Sequence, residues 1–172
     1  YDENVTNNHL DIGVGTGYFL DHCKFPSGNV RLGLMDLSKE SLEFTAKRLA
    51  RFHPETYLAN VLEPLEVAAP FDSVGLNYLL HCLPGTMQTK STAFRNIAAI
   101  LKPGGVIFGA TVLTGGVEHN WLAKKMLVTL NEKKIFTNLH DDVDGLREAL
   151  SAHFTEHDVE VVGGVGVFRA RL

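Results

Sequence analysis

The run Leu10-Asp11-Ile12-Gly13-Val14-Gly15-Thr16-Gly17 decides the fold. It joins a predicted strand over residues 9–13 to a predicted helix over residues 18–24, and three glycines alternate with other residues in the turn between them. Glycine adopts positive φ values at little cost and lets a ligand approach the backbone closely. Open α/β sheets bind ligands at the carboxyl ends of their strands, which is where this turn lies. The sequence therefore predicts a ligand site here, with a structural bend as the alternative.

Strands and helices alternate along the rest of the chain. We predict further strands over residues 30–35, 56–59, 71–78 and 106–112, and helices over residues 38–53, 91–101, 120–130 and 141–154. Two β-like runs, 158–162 and 165–171, close the chain, and the two glycines between them indicate a hairpin. This alternation predicts a mostly parallel sheet with helices on both faces, and the hairpin makes the last strand antiparallel.

The composition is that of one globular domain with a continuous core. The chain has 172 residues, of which 45% are hydrophobic and 21% charged, so we exclude disorder as its main state. No run approaches the roughly 18 apolar residues of a membrane span. The net charge is −4 and basic residues do not cluster, so we expect neither a membrane nor a nucleic-acid partner. Cys23 and Cys82 are too far apart for a metal-binding pair, and we expect two reduced, largely buried thiols in a cytoplasmic protein.

Asp36 adds a second indication of a nucleoside-containing ligand. It ends the second predicted strand, 25 residues after Asp11, where a carboxylate can accept two hydrogen bonds from a ribose diol. Folds that bind NAD also use a carboxylate at this place to bind a ribose, so Asp36 alone does not identify the cofactor. A dinucleotide fingerprint, however, requires a third glycine at the position held by Tyr18.

The run over residues 10–17 resembles motif I of the class I S-adenosylmethionine (SAM)-dependent methyltransferases. The other matches follow in the family's order and are Asp36, Phe71-Asp72-Ser73-Val74, Leu79-Leu80-His81-Cys82-Leu83 and Leu101-Lys102-Pro103-Gly104-Gly105. The resemblance implies a Rossmann-like α/β fold with a seven-stranded, mostly parallel sheet in the order 3-2-1-4-5-7-6, whose last strand is antiparallel. It also implies that the protein transfers a methyl group from SAM to a small-molecule acceptor.

The resemblance further assigns the parts of the cofactor to particular residues. The methionine part would contact Asp11, Gly13, Gly15, Gly17, Leu76 and Asn77, with Asp11 holding the amino group. The ribose and adenine would contact Asp36, Leu37, Asn60 and Val61. Of these, Asp36 would accept the ribose hydroxyl groups, and Leu37 would pack on the adenine. The family often has an acid in place of Asn60, but an amide oxygen can still accept a hydrogen bond from the adenine amino group.

The motifs assign residues to the cofactor but do not assign a catalytic residue. His81 is the one motif residue with an obvious acid or base function, although histidine is frequent at this place in the family without a role in proton transfer. The chain has Asn77-Tyr78-Leu79-Leu80 after the fourth predicted strand, and not the motif that is typical of enzymes that methylate DNA bases. His153 and His157 have metal-ligand spacing but lack a third ligand, so we expect no metal.

Residues 113–140 form a long connection after the fifth predicted strand. The segment carries Gly115-Gly116 and a helix with Trp121, Met126 and Leu127 among its apolar residues. We predict that it covers the substrate side and that Trp121 and Met126 line the acceptor pocket; the alternative is a helix that merely packs on the protein body. We also expect that cap helices precede residue 1.

Two other functions stay open at this stage. The first is a methyltransferase-like module that binds a cofactor or a partner without catalysis. The second is a NAD-dependent oxidoreductase, which Tyr18 and the terminal hairpin both disfavour.

Overall fold

The computed structural model describes residues 1–172 as one sheet with helices on both faces. The strands are β1 (Asn8–Ile12), β2 (Arg31–Asp36), β3 (Glu55–Leu58), β4 (Phe71–Asn77), β5 (Leu101–Val112), β6 (Glu156–Val162) and β7 (Val165–Arg171). The helices are α1 (Tyr18–His22), α2 (Lys39–Arg48), α3 (Met87–Ala98), α4 (Trp121–Glu132) and α5 (Val143–Ser151), with 3-10 turns at Ala50–Phe52 and Leu80–Cys82.

The strand order is β3-β2-β1-β4-β5-β7-β6, as predicted. Neighbouring strands from β3 to β5 are parallel, whereas β7 lies antiparallel between β5 and β6. The chain order reverses between β1 and β4, so the carboxyl ends of these two strands border the crevice where doubly wound sheets bind ligands.

The main differences from the predicted boundaries surround α3. The helix begins at Met87, four residues before the predicted start, because Thr86 and Thr89 form a capping box. It ends at Ala98, and β5 already pairs with β4 at Leu101. The register shifts between Phe71 and Ser73 of β4, so the Lys102–Gly105 run is an irregularity within β5, not a break before it.

The two faces of the sheet bury two separate cores. The larger core lies under α3 and α5 and includes Leu10, Val74, Leu76 and Phe94. The smaller core lies under α1 and α2 and comprises Val14, Leu20, Leu32, Leu34, Leu42 and Leu49. Because strand side chains alternate between faces, the residues between these apolar positions on β1 and β4 share the face opposite the larger core.

Two further predictions concern the surface. Both cysteines are free, but Cys82 is exposed and Cys23 is half-buried, so the expectation of largely buried thiols is wrong for Cys82. No helix combines the length and the apolar character that a membrane span requires.

Candidate functional site

The glycine turn forms one wall of a cavity of about 230 Å³ at the carboxyl ends of β1 and β4. Its lining residues are Tyr1, Asp11, Gly13, Val14, Gly15, Thr16, Gly17, Tyr18, Phe19, Asn77 and Tyr78. The structure thus brings together the turn, Asp11 and Asn77, which the sequence analysis had placed on two separate strands.

The three glycines of the turn have φ values of 73°, 50° and 67°. A Cβ atom added to Gly13 would lie 3.0 Å from Leu79 Cδ1, and one added to Gly17 would lie 2.6 Å from Thr45 Cγ2. A Cβ atom added to Gly15 would meet nothing within 4 Å. Packing therefore restricts Gly13 and Gly17, while the open space beside Gly15 is available to a ligand.

Asp36 lies beside the turn and is oriented by backbone groups. Its Oδ1 accepts a hydrogen bond of 2.9 Å from the Ser38 N–H, and its Oδ2 accepts one of 3.4 Å from the Gly15 N–H. The next residue, Leu37, is 72% exposed. A carboxylate held beside the glycine turn and followed by an exposed apolar side chain suits a ribose with an attached flat base.

Asn60 and Val61 follow β3 but contribute differently. The Asn60 Oδ1 atom accepts a hydrogen bond of 3.1 Å from the Leu62 N–H, so one lone pair of this oxygen stabilises its own loop. Val61 is buried, and its carbonyl oxygen accepts a hydrogen bond of 2.9 Å from Asn96 on α3. Val61 therefore anchors the loop that presents Asn60.

Asp11 and Asn77 form the deep end of the cavity. The Asn77 Nδ2 atom is buried and has no hydrogen-bond partner, so it has donors to offer to a bound group. Leu76, by contrast, is fully buried in the larger core. The prediction that its side chain faces the ligand is wrong, because adjacent residues of a strand point to opposite faces.

Tyr1 is a site residue that the sequence analysis missed. Its hydroxyl group donates a hydrogen bond of 2.5 Å to Asp11 Oδ1. Burial, reinforced by the charge of Asp11, raises the pKa of the Tyr1 hydroxyl, which therefore stays protonated at neutral pH. No motif marks this tyrosine, and its proximity to Asp11 arises only from the tertiary fold.

A second cavity of about 570 Å³ adjoins the first and shares Tyr1, Phe19, Asn77 and Tyr78 with it. The Phe19 ring lies between those of Tyr1, at a centroid distance of 5.4 Å, and Tyr78, at 6.3 Å, and is within 16° of parallel with both. The other lining residues are Asp2, Glu3, Asn4, His22, Cys23, Ala110 and Val167. The lining therefore combines a stack of aromatic rings with polar and charged side chains, which suits a ligand that has both apolar and polar parts.

A third cavity, of about 590 Å³, lies elsewhere in the molecule. Arg31 and Glu55, at the start of β2 and of β3, are among its lining residues. It shares no residue with the site and lies at the opposite ends of the strands from the turn, so we do not assign it to the ligand.

His81 is 3% exposed and lines neither cavity of the site. Its Nδ1 accepts a hydrogen bond of 3.2 Å from the Val112 N–H, and its ring packs edge-on against Phe136 at 4.3 Å. Burial, together with the charge of Lys90, lowers the pKa of His81 to about 4. At neutral pH His81 is therefore uncharged, and its acceptor nitrogen is already engaged.

Residues 113–140 lie at the same edge of the sheet as the site. Near the end of the segment, the Thr137 N–H donates a hydrogen bond of 2.8 Å to the carbonyl oxygen of His81, which follows β4. Trp121 and Met126, however, are 75% and 57% exposed, and Leu127 is the buried residue of α4. The segment therefore lies at the predicted edge of the sheet. The structure does not support the prediction that Trp121 and Met126 face inward.

Comparisons with known proteins identify the family to which the chain belongs. A family model described as a methyltransferase domain matches residues 10–107. A demethylluteothin O-methyltransferase of Streptomyces thioluteus is 44% identical over 171 residues, which are 99% of this chain and 74% of that protein. A physcion biosynthesis cluster O-methyltransferase of Aspergillus chevalieri is 42% identical over 169 residues, which are 97% of this chain and 76% of that protein.

A solved structure shows the same fold. The N-methyltransferase NodS of Bradyrhizobium japonicum, in complex with S-adenosylhomocysteine, has a TM-score of 0.66 at 20% identity, over 95% of this chain and 76% of NodS. The family model and the relatives set aside both the NAD-dependent oxidoreductase and the non-catalytic module. The chain therefore belongs to the SAM-dependent methyltransferases, enzymes that in this branch transfer the methyl group of SAM to small molecules.

Proposed function

We propose that this enzyme methylates a hydroxyl oxygen of a flat, unsaturated small molecule. The observation that carries the proposal is that the two cavities share Tyr1, Phe19, Asn77 and Tyr78. A cofactor with its methionine part in the smaller cavity would present its methyl group to the larger one. Two relatives whose names describe O-methyltransferases support an oxygen acceptor.

The residues of the smaller cavity fit SAM in this proposal. The open space beside Gly15 leaves room for the methionine part of the cofactor. The unpartnered Asn77 Nδ2 can donate a hydrogen bond to the carboxylate of that part. Asp11 would take the amino group, and Asp36 would take the ribose hydroxyls. Leu37 would pack on the adenine, whose amino group would donate to the remaining lone pair of Asn60 Oδ1. When bound, SAM supplies an electrophilic methyl group, so alignment of the acceptor accounts for much of the catalysis.

Of His22 and His81, His22 is the better placed to act as general base on an oxygen acceptor. It is the one histidine that lines the larger cavity. Its Nδ1 lies 2.8 Å from the Tyr18 carbonyl oxygen and must donate to it, which leaves the lone pair of Nε2 available in the neutral ring. His81 lacks this arrangement because its Nδ1 accepts the Val112 N–H. We therefore assign proton removal to His22 and a structural role to His81.

A labelled-methyl assay tests the proposal. The protein is incubated with methyl-labelled SAM and with matched pairs of acceptors, such as a hydroxypyrone or a hydroxyanthraquinone and the corresponding amine. We expect labelled O-methyl product from the hydroxy compound, and His22→Gln should lower kcat by about 100-fold for this acceptor. Label on the amine alone would contradict an oxygen acceptor, and an unchanged kcat in His22→Gln would contradict the assignment of the base.

The remaining parts of the proposal concern the surroundings of the site. Residues 113–140 would lie beside the acceptor, and the exposed side chains of Trp121 and Met126 are the candidates to contact it. We further propose that the enzyme works in the cytoplasm, without a nucleic-acid or membrane partner. The net charge of −4 and the two free cysteines support this location.

A further inference from the structure

A buried histidine lies directly beneath the cofactor cavity. His9 is fully buried in β1, two residues before Asp11 and on the same face of the sheet. Its ring stacks on Phe108 of β5 with a centroid distance of 5.6 Å. Positions in the middle of a parallel sheet are usually apolar, so a buried imidazole here requires a reason.

Ser73 and Asp11 together favour one tautomer of His9. Its Oγ atom lies 2.8 Å from His9 Nδ1 and accepts a hydrogen bond of 3.0 Å from the Thr6 N–H. The Thr6 hydroxyl group donates to the carbonyl oxygen of Asn8 at 3.1 Å, so it does not supply a proton to Ser73. The Ser73 hydroxyl group can then donate to His9 Nδ1 or to Thr6 Oγ1, which lies 2.9 Å away. The Asp11 carboxylate, 3.8 Å from His9 Nε2, repels a lone pair on that atom and favours the tautomer with the proton on Nε2.

The Nε2 atom of His9 faces Asp11. It is buried and has no hydrogen-bond partner, and the Asp11 Oδ1 atom lies 3.8 Å away. Gly75 of β4 makes room for this contact, because a Cβ atom there would lie 2.5 Å from Asp11 Oδ1 and 3.3 Å from His9 Nε2. Tyr1 and His9 both approach Oδ1, so Oδ2 is the carboxylate oxygen left for a ligand.

We infer that His9 is a positioning residue, which holds the Asp11 carboxylate in the orientation that receives the amino group of the cofactor's methionine part. The inference rests on the cofactor placement proposed above. Ser73 can donate to His9 Nδ1 in this tautomer, and the Nε2–H group then faces Asp11 Oδ1 from below. His9 touches neither the cofactor nor the acceptor, so its effect is confined to the methionine end of the site.

Two ligands separate this role from a general effect on folding. S-adenosylhomocysteine carries the amino acid part, whereas methylthioadenosine lacks it and keeps the adenosine. In His9→Leu we expect the Kd of S-adenosylhomocysteine to rise about tenfold, because the Asp11 carboxylate loses the buried polar group that faces its Oδ1 atom at 3.8 Å. The Kd of methylthioadenosine should stay within about twofold, because its contacts lie elsewhere. Isothermal titration of both ligands measures the difference.

Three further variants complete the experiment. His9→Gln offers an amide N–H and should recover part of the affinity for S-adenosylhomocysteine. Ser73→Ala removes the contact at His9 Nδ1 that supports this tautomer and should cause a smaller selective loss, of about threefold, which keeps the inference testable if His9→Leu does not fold. In an Asp11→Asn background, His9→Leu should have no further effect on S-adenosylhomocysteine.

Equal losses for the two ligands, or no loss for S-adenosylhomocysteine, would overturn the inference. An additional loss in the Asp11→Asn background would also overturn it, since His9 would then act independently of Asp11. If the wild-type protein bound neither ligand, the proposed cofactor placement would fail, and this outcome is distinct from a failure of the role of His9.

Discussion

Asp36 is held in place by backbone donors alone, since its two carboxylate oxygens accept from the Ser38 and Gly15 N–H groups. Its side chain can thus be removed without leaving a charged partner unpaired. We predict that Asp36→Ala weakens binding of S-adenosylhomocysteine by about 10- to 100-fold, because a hydrogen bond to a charged group is worth about 1.5–3 kcal/mol. Isothermal titration measures this change. Asp72→Ala, at the opposite end of the sheet, serves as the control, and an unchanged Kd in Asp36→Ala would remove Asp36 from the site.

Gly15 has a positive φ of 50°, and a Cβ atom added to it would meet nothing within 4 Å. We predict that Gly15→Val abolishes binding of S-adenosylhomocysteine, because the side chain would fill the open space and oppose the φ of 50°. Gly163→Val is the matched control, since Gly163 has a φ of 59° and is equally open but lies in the terminal hairpin. If both variants bound S-adenosylhomocysteine like the wild type, the turn would be a structural bend.

Site residues that belong to a local sequence motif could be predicted from the sequence. Site residues that reach the cavity only through tertiary contacts could not. The turn and Asp36 lie at strand ends whose positions follow from local patterns, and the structure places them together. Tyr1 and His22 carry no motif, and they line the cavity through tertiary contacts. Leu76 shows the opposite error, because a family motif identifies a strand end but the pleat decides which side chain faces the ligand.

At the scale of elements, a buried ion pair fastens the end of the 113–140 segment to α3. Lys90 is fully buried, and its Nζ atom lies 2.6 Å from Asp141 Oδ2 and donates a hydrogen bond of 2.9 Å to the Thr137 carbonyl oxygen. Burial raises the pKa of Asp141, while the ammonium group of Lys90 opposes that effect. The pair thus joins α3 to the polypeptide that leads into α5.

We predict that Lys90→Met lowers the free energy of unfolding by about 3–5 kcal/mol, because it leaves Asp141 buried without a counter-ion. Urea denaturation followed by circular dichroism measures the change. The double variant Lys90→Met/Asp141→Leu should recover part of the loss, since it removes both charges. A loss below about 1 kcal/mol in Lys90→Met would mean that Asp141, whose pKa burial raises, takes up a proton and needs no counter-ion.

The exposed face of α4 allows a kinetic prediction for Trp121. If this face contacts the acceptor, Trp121→Ala should lower kcat or raise the KM for the acceptor by about tenfold, while the Kd of S-adenosylhomocysteine stays within about twofold. Steady-state kinetics with the acceptor identified in the labelled-methyl assay measure the effect. Val128→Ala, which truncates another exposed apolar residue of α4, is the control. Unchanged kinetics in Trp121→Ala would limit this helix to a structural role.

The existence and order of the elements could be predicted, but several boundaries could not. Apolar periodicity and glycine positions indicate every strand. The first reflects which side chains the element buries, and the second reflects where the backbone turns. The start of α3 depends on a hydrogen-bonded exchange between Thr86 and Thr89, and the start of β5 depends on pairing with Phe71. The pairing with Phe71 forms only when the strands are assembled, and the cap at Thr86 is polar and carries no apolar periodicity. Boundaries drawn from apolar periodicity therefore shift by several residues.

For the whole molecule, the burial of His81 links stability to pH. The neutral ring accepts the Val112 N–H and packs against Phe136, and its pKa is lowered from 6.5 to about 4. Below pH 6.5 the unfolded chain binds a proton at His81 that the folded protein does not bind until about pH 4. The stabilisation is therefore complete above pH 6.5 and is lost as the pH falls toward 4.

We predict that His81 accounts for up to about 3 kcal/mol of the fall in the free energy of unfolding over this range, since each unit of pKa shift corresponds to about 1.4 kcal/mol. His81→Asn keeps an acceptor for the Val112 N–H but cannot titrate. It should be less stable than the wild type at pH 7, because contact with Phe136 is lost, yet its stability should change less between pH 6.5 and 4. Urea denaturation at several pH values measures both effects. His53→Asn is the control, since His53 is exposed and its positive φ suits asparagine. If His81→Asn and the wild type lost stability in parallel, other groups would dominate the acid sensitivity, and His81 would be protonated without disturbing the fold.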